Sequence, residues 1–165
     1  MFSFARRRQH VEVHKLVRRF IDTSSPNRPP SGGDARWEDR SNRTLPVLLA
    51  PYDGVEVRVD ELTHAVTKDV SSQGLALVLP QPFRAEQVVV GFWSESHTHF
   101  VSGQVRQNVP LGGGFWQLGV ELTALLDLSE HPDIKRLVPL ALRLDPLVNR
   151  QALNAAQRVL QSSRP

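Results

Sequence analysis

Two short stretches carry side chains whose types and spacing suit recognition of an anionic ligand bearing guanine. The first is RWEDR, residues 36–40, where Arg36 and Arg40 stand four residues apart behind a run rich in proline and glycine. An arginine fork grips phosphate oxygens, reads the O6/N7 edge of guanine and stacks on a purine face. The second is DVSSQG, residues 69–74, which sets Asp69, Ser71 and Gly74 between two apolar runs. In extended backbone Asp69 and Ser71 share a face and offer a carboxylate beside a hydroxyl; a carboxylate complements the N1 and N2 donors of guanine. Gly74 permits a sharp turn or the approach of a flat ligand to the backbone. Taken alone, the same letters also spell an ordinary Asx or Ser turn.

Other constellations are poorer. His97 and His99 fall on one face of an extended segment, but two imidazoles without a third ligand make a strand end rather than a metal site. The stretch LGGGFW at 111–116 lacks the Lys-Ser/Thr ending of a phosphate-binding loop and reads as a hairpin. No histidine is placed by the sequence to serve Asp69 and Ser71 as a triad. With no cysteine in the chain, thiolate metal sites, cysteine nucleophiles and disulfides are excluded. The reading is of a non-enzymatic binding protein with no catalytic residues, no metal and no cofactor.

Charge is unevenly placed around these stretches. The chain has 165 residues and a formal net charge of +3. Residues 1–30 carry seven cations against Glu12 and Asp22, a net of +5, which leaves the remainder near −2. A general nucleic-acid binder spreads positive charge over a contact face, so no specific nucleic acid is expected and any anion must be held by a few placed arginines. Apolar runs are too short for a membrane-spanning helix, and the start lacks the apolar core of a secretory signal. A cytoplasmic protein is expected.

The elements that must position the motifs are mostly strands. Apolar or alternating runs at 45–50, 55–62, 63–70, 75–79, 88–93, 100–109 and 115–122 are separated by Gly, Pro and Ser clusters, the pattern of an antiparallel barrel or sandwich. PLGGG at 110–114 is the turn between the last two. Upstream, Val13, Leu16, Val17, Phe20 and Ile21 form one stripe of a basic amphipathic helix, which packs on the protein's own body, on a twin subunit, or on a membrane or partner. Residues 23–33 hold three prolines and a Gly pair and read as a flexible linker. After the strands, a helix is expected from the Ser129 cap, limited by Pro139, and a second from the Asp145 cap with Pro146 at its first position.

In this order and framing the two stretches resemble the PilZ domain, a receptor family for the bacterial second messenger cyclic di-GMP. That family is marked by R-x-x-x-R before the first barrel strand and by D/N-x-S-x-x-G between later strands. Arg36 and Arg40 match the first pattern, and Asp69, Ser71 and Gly74 match the second. SNRTLPV, with Pro46 and Val47, looks like the family's entry into its first strand, and GQVRQNV followed by FWQLGVEL resembles its closing hairpin. Ala35 stands where many members have another arginine, a neighbourhood that in the family affects whether one ligand or an intercalated pair is bound.

The resemblance implies a mainly β fold, a six-stranded antiparallel PilZ-like barrel over 34–128. A helical arm over 1–22, the 23–33 linker and a helical tail over 129–165 lie outside it. It implies a cyclic di-GMP receptor that uses Arg36, Arg40, Asp69, Ser71 and Gly74 and acts on a downstream protein partner. Arg43 is an extra cation that either assists the site or is plain surface charge, and Trp37 either stacks on a base or folds back onto the barrel. Two alternatives stay open: a PilZ-type adaptor working by protein contacts without nucleotide, and a membrane- or nucleic-acid-binding module driven by the basic arm. A homodimer stays open as well.

Overall fold

The computed structural model describes residues 11–17, 45–71, 73–94 and 97–143. Within them six strands close into an antiparallel barrel: β1 (Pro46–Pro51), β2 (Thr63–Val70), β3 (Gly74–Leu79), β4 (Gln87–Ser94), β5 (His97–Gly112) and β6 (Phe115–Leu125). Their order around the barrel is β1-β2-β3-β6-β5-β4, with β1 pairing β4 to shut the ring. Six of the seven expected runs form strands, and closure leaves the sheet without free edges over most of its height.

Hydropathy along each strand follows what covers its two faces. Inward side chains such as Val47, Leu49, Ala65, Leu75, Leu77, Val88, Val90, Leu118, Val120 and Leu122 fill the lumen. On β1 the outward Leu48 and Ala50 are buried too. They lie with Val89 and Phe100 beneath Ile134, Leu137 and Ala141 of the C-terminal elements. A strand buried on both faces must be apolar throughout, and LPVLLA and VVVGFW read that way. β2 and β3 have only one covered face and therefore alternate.

Helix α1 (residues 11–17) sends Val13 and Val17 into the same buried cluster as the lumen residues. Of the surfaces open to its stripe, the protein's own body is the one these residues meet. The rest of the arm, the 23–33 linker and the helix expected after Asp145 fall outside the described residues.

Three expectations are corrected. The run at 55–62 is not a strand: a lone Tyr52–Val57 bridge is followed by a 3-10 turn, Val59–Glu61. Asp53 Oδ1 accepts the backbone N–H groups of Val55 and Glu56 at 2.9 and 2.8 Å, so local side-chain bonding outcompetes a ladder there. Ser129 caps no helix, because both its N–H and its hydroxyl donate to Asp127 Oδ1 at 2.7 Å. Pro139 sits in the first turn of the short helix α2 (Val138–Leu142) rather than ending one, a position where the missing N–H is harmless. α2 follows a 3-10 turn, Pro132–Arg136.

The β5–β6 hairpin overhangs the barrel. Pairing with β4 stops at Gln104 and pairing with β3 at Trp116. Beyond those points Val109, Leu111 and Phe115 are exposed. Gly112, Gly113 and Gly114 turn the hairpin with positive φ, as PLGGG requires.

Candidate functional site

The DVSSQG stretch joins β2 to β3, and its presentation depends on a β-bulge. Thr67 pairs with Leu77, and the next pair is Asp69 with Ala76, which leaves Lys68 as the extra residue. Without it, period-two alternation from buried Thr67 would turn Asp69 inward. With it, Val70 is buried, while Asp69 is half-exposed opposite the outward Ala76. One inserted residue thus decides that the carboxylate faces outward rather than into the lumen.

Ser71 closes the turn. Its N–H donates to the Gly74 carbonyl at 2.9 Å, its hydroxyl lies 3.2 Å from the same oxygen, and Gly74 N–H donates to that hydroxyl at 3.2 Å. The Gln73 carbonyl then accepts the N–H of Leu122 at 2.9 Å and stitches the turn to β6. Gly74 lies outside the positive-φ region. A Cβ there would collide with the Val120 carbonyl oxygen, so the glycine serves the close approach of β3 and β6. The sequence offered a sharp turn or ligand access for this residue, and the structure supplies a third reason, backbone packing.

Around the turn lies an outward surface on β2, β3, β6 and β5. Ala76 pairs with Gly119 and Gly119 with Gln107, a low floor beside Asp69. Lys68 Nζ reaches across β3 to donate to Gln117 Oε1 on β6 at 2.9 Å. Glu121, on the same face, is held by Arg106 at 2.6 Å. A carboxylate, an ammonium group, amides and a flat floor suit binding of a polar planar ligand. Sequence reasoning named Asp69, Ser71 and Gly74 but missed Lys68, Gln117 and the Ala76–Gly119 floor. The spacing of the inward residues Ala65, Thr67 and Val70, a step of two and then three, is the signal that marks the bulge.

The other half of the motif enters nearby. Leu45 and Thr67 exchange hydrogen bonds: Thr67 N–H donates to the Leu45 carbonyl, and Leu45 N–H donates to Thr67 Oγ1, both at 2.9 Å. The chain preceding β1 is thereby pinned two residues along β2 from Asp69. Arg36, Trp37, Arg40 and Arg43 lie in the segment before that point, outside the described residues.

His97 and His99 are on β5 with ring centroids 6.5 Å apart, and His99 lies against Phe92. Among the described residues no three His, Asp or Glu side chains group to hold a metal ion. No helix among them is long and apolar enough to cross a membrane.

A closed six-stranded antiparallel barrel with short helical pieces at both ends, and an outward D-x-S-x-x-G turn, defines a class of small antiparallel β-barrel domains. The PilZ domain family model matches residues 36–139, well over half of the chain, and the chain belongs to that family. The solved structure of the Bacillus subtilis Inhibitor of motility (MotI/DgrA) is similar at 16% sequence identity and a TM-score of 0.43. The similarity covers 70% of this chain and 55% of that one, so the chain spans about half the length of that protein. No curated protein matches the chain.

Proposed function

We propose that the protein is a cyclic di-GMP receptor whose ligand sits on the outer face of β2, β3 and β6, clamped by Arg36 and Arg40. The observation that carries this reading is the Leu45–Thr67 pair, which delivers the chain emerging from RWEDR to the strand bearing Asp69. At up to about 3.5 Å per residue, the five residues from Arg40 to Leu45 span up to roughly 17 Å, enough to reach the DVSSQG turn. Asp69 takes the guanine N1 and N2 donors, the arginines take phosphate and the O6/N7 edge, and Ser71 holds the turn in shape while contributing a lone pair. Ligand then orders residues 23–44 against the barrel and changes how the N-terminal arm is presented to a downstream protein.

Calorimetry on the full chain tests this. Cyclic di-GMP binds, whereas cyclic di-AMP, which lacks the N2 donor and has an amino group in place of O6, binds far more weakly. Arg36→Ala and Arg40→Ala each remove a charge-assisted bond of about 1.5–3 kcal/mol, roughly a tenfold to hundredfold loss of affinity. Asp69→Ala weakens binding without lowering the thermal transition of the free protein. Equal affinity for the adenine analogue, or parental affinity in both arginine variants, would overturn the receptor reading.

A further inference from the structure

We propose that Lys68 is a third cation of this site, parked on Gln117 in the free protein and transferred to a ligand phosphate on binding. The inference rests on the receptor reading and concerns a residue outside both sequence motifs.

Three observations converge on it. Lys68 is the inserted residue of the β2 bulge, so the distortion that turns Asp69 outward also lifts this side chain over the same face. Its ammonium group spans β3 to reach Gln117 on β6, which lays the side chain beside the floor formed by Ala76 and Gly119. Its partner there is a neutral amide oxygen, and the carboxylate of the same face, Glu121, is already engaged by Arg106 at 2.6 Å. Lys68 has no carboxylate partner among the described residues, and it stands one position from the Asp69 that faces the ligand.

Exchange of an amide oxygen for a phosphate oxygen replaces a neutral acceptor with a charged one, which strengthens the bond. A cation fixed on the rigid sheet also complements arginines supplied by a separate segment, because a two-phosphate ligand is then gripped from both sides. Lysine suits this role, since its three rotatable donors need no fork geometry and its flexible stem allows the change of partner.

Titration of the full chain with cyclic di-GMP at several salt concentrations decides the matter. Lys68→Met lowers affinity by about three- to tenfold and makes it less sensitive to added salt. Lys68→Arg keeps most of the affinity. Gln117→Leu, which removes the competing acceptor, tightens binding. The ligand-free thermal transition of Lys68→Met stays at the parental temperature, which separates a ligand contact from a brace between strands. Parental affinity and salt dependence in Lys68→Met would overturn the inference and leave the receptor reading standing. So would a loss in Gln117→Leu equal to that in Lys68→Met. Failure of the parent itself to bind cyclic di-GMP would overturn both.

Discussion

At Gly74 the chain has no side chain because there is no room for one: the Val120 carbonyl oxygen occupies the space a Cβ needs. Gly74→Ala therefore pushes β3 away from β6 and costs about 1–3 kcal/mol, the scale of overpacking, read as a lower denaturant midpoint. Asp53 makes a different residue-level prediction. Its carboxylate is held below the ordinary value chiefly by the N–H groups of Glu56 and then Val55. A depressed folded value means that its stabilisation is fully present above the unfolded value and fades as pH falls through the folded one. Denaturant melts of parent and Asp53→Asn between about pH 5 and pH 2 should thus converge on acidification, since only the parent loses this contribution. A parallel pH dependence in the two proteins would remove Asp53 from the account.

At the scale of elements, the link between motif and barrel is the pairing of Leu45 with β2. Thr67 is buried, and its hydroxyl accepts the Leu45 N–H. Thr67→Val keeps the volume and leaves that N–H without its acceptor, at a cost of about 1–3 kcal/mol. Amide exchange at Leu45 quickens in the variant, and cyclic di-GMP affinity falls although no ligand-contacting residue has changed. Unaltered exchange at Leu45 would mean that the pin is not this bond. The strands themselves were legible, because alternation in β2 and β3 and continuous apolar runs in β1 and β4 record which faces are covered. The bulge is written not in the letters of DVSSQG but in the broken spacing of Ala65, Thr67 and Val70 before it. The run VEVRVDEL misled for the opposite reason. It has strand periodicity, yet Asp53 captures the N–H groups at its start and Val55 is left 82% exposed. Likewise Pro139 reads equally as a stop or a start, and only the packing of Leu137 and Ala141 on the outer face of β1 and β4 decides.

For the whole molecule, the telling feature is that the first helix shares a core with the barrel. Val13 and Val17 are as buried as the lumen residues they join. Val17→Ala should therefore destabilise the entire fold by about 2 kcal/mol, transfer plus cavity, with loss spread over barrel amides in hydrogen exchange. A loss confined to residues 11–17 would instead make the helix an appendage.

That shared core also sets an order of events during synthesis. Translation delivers helix residues 11–17 before the barrel strands, yet the cluster they enter includes Leu118, Val120 and Leu122 of β6. The ring is no more forgiving: β1 gains its neighbour β4 only after Ser94 has emerged, and β3 gains β6 only after Leu125. Contacts so distant in sequence form late and slowly. A nascent chain halted before β6 holds an apolar helix stripe with no seat and a sheet with two raw edges. For this protein the helix at 11–17 can come to rest only once the strand that ends at Leu125 has left the ribosome.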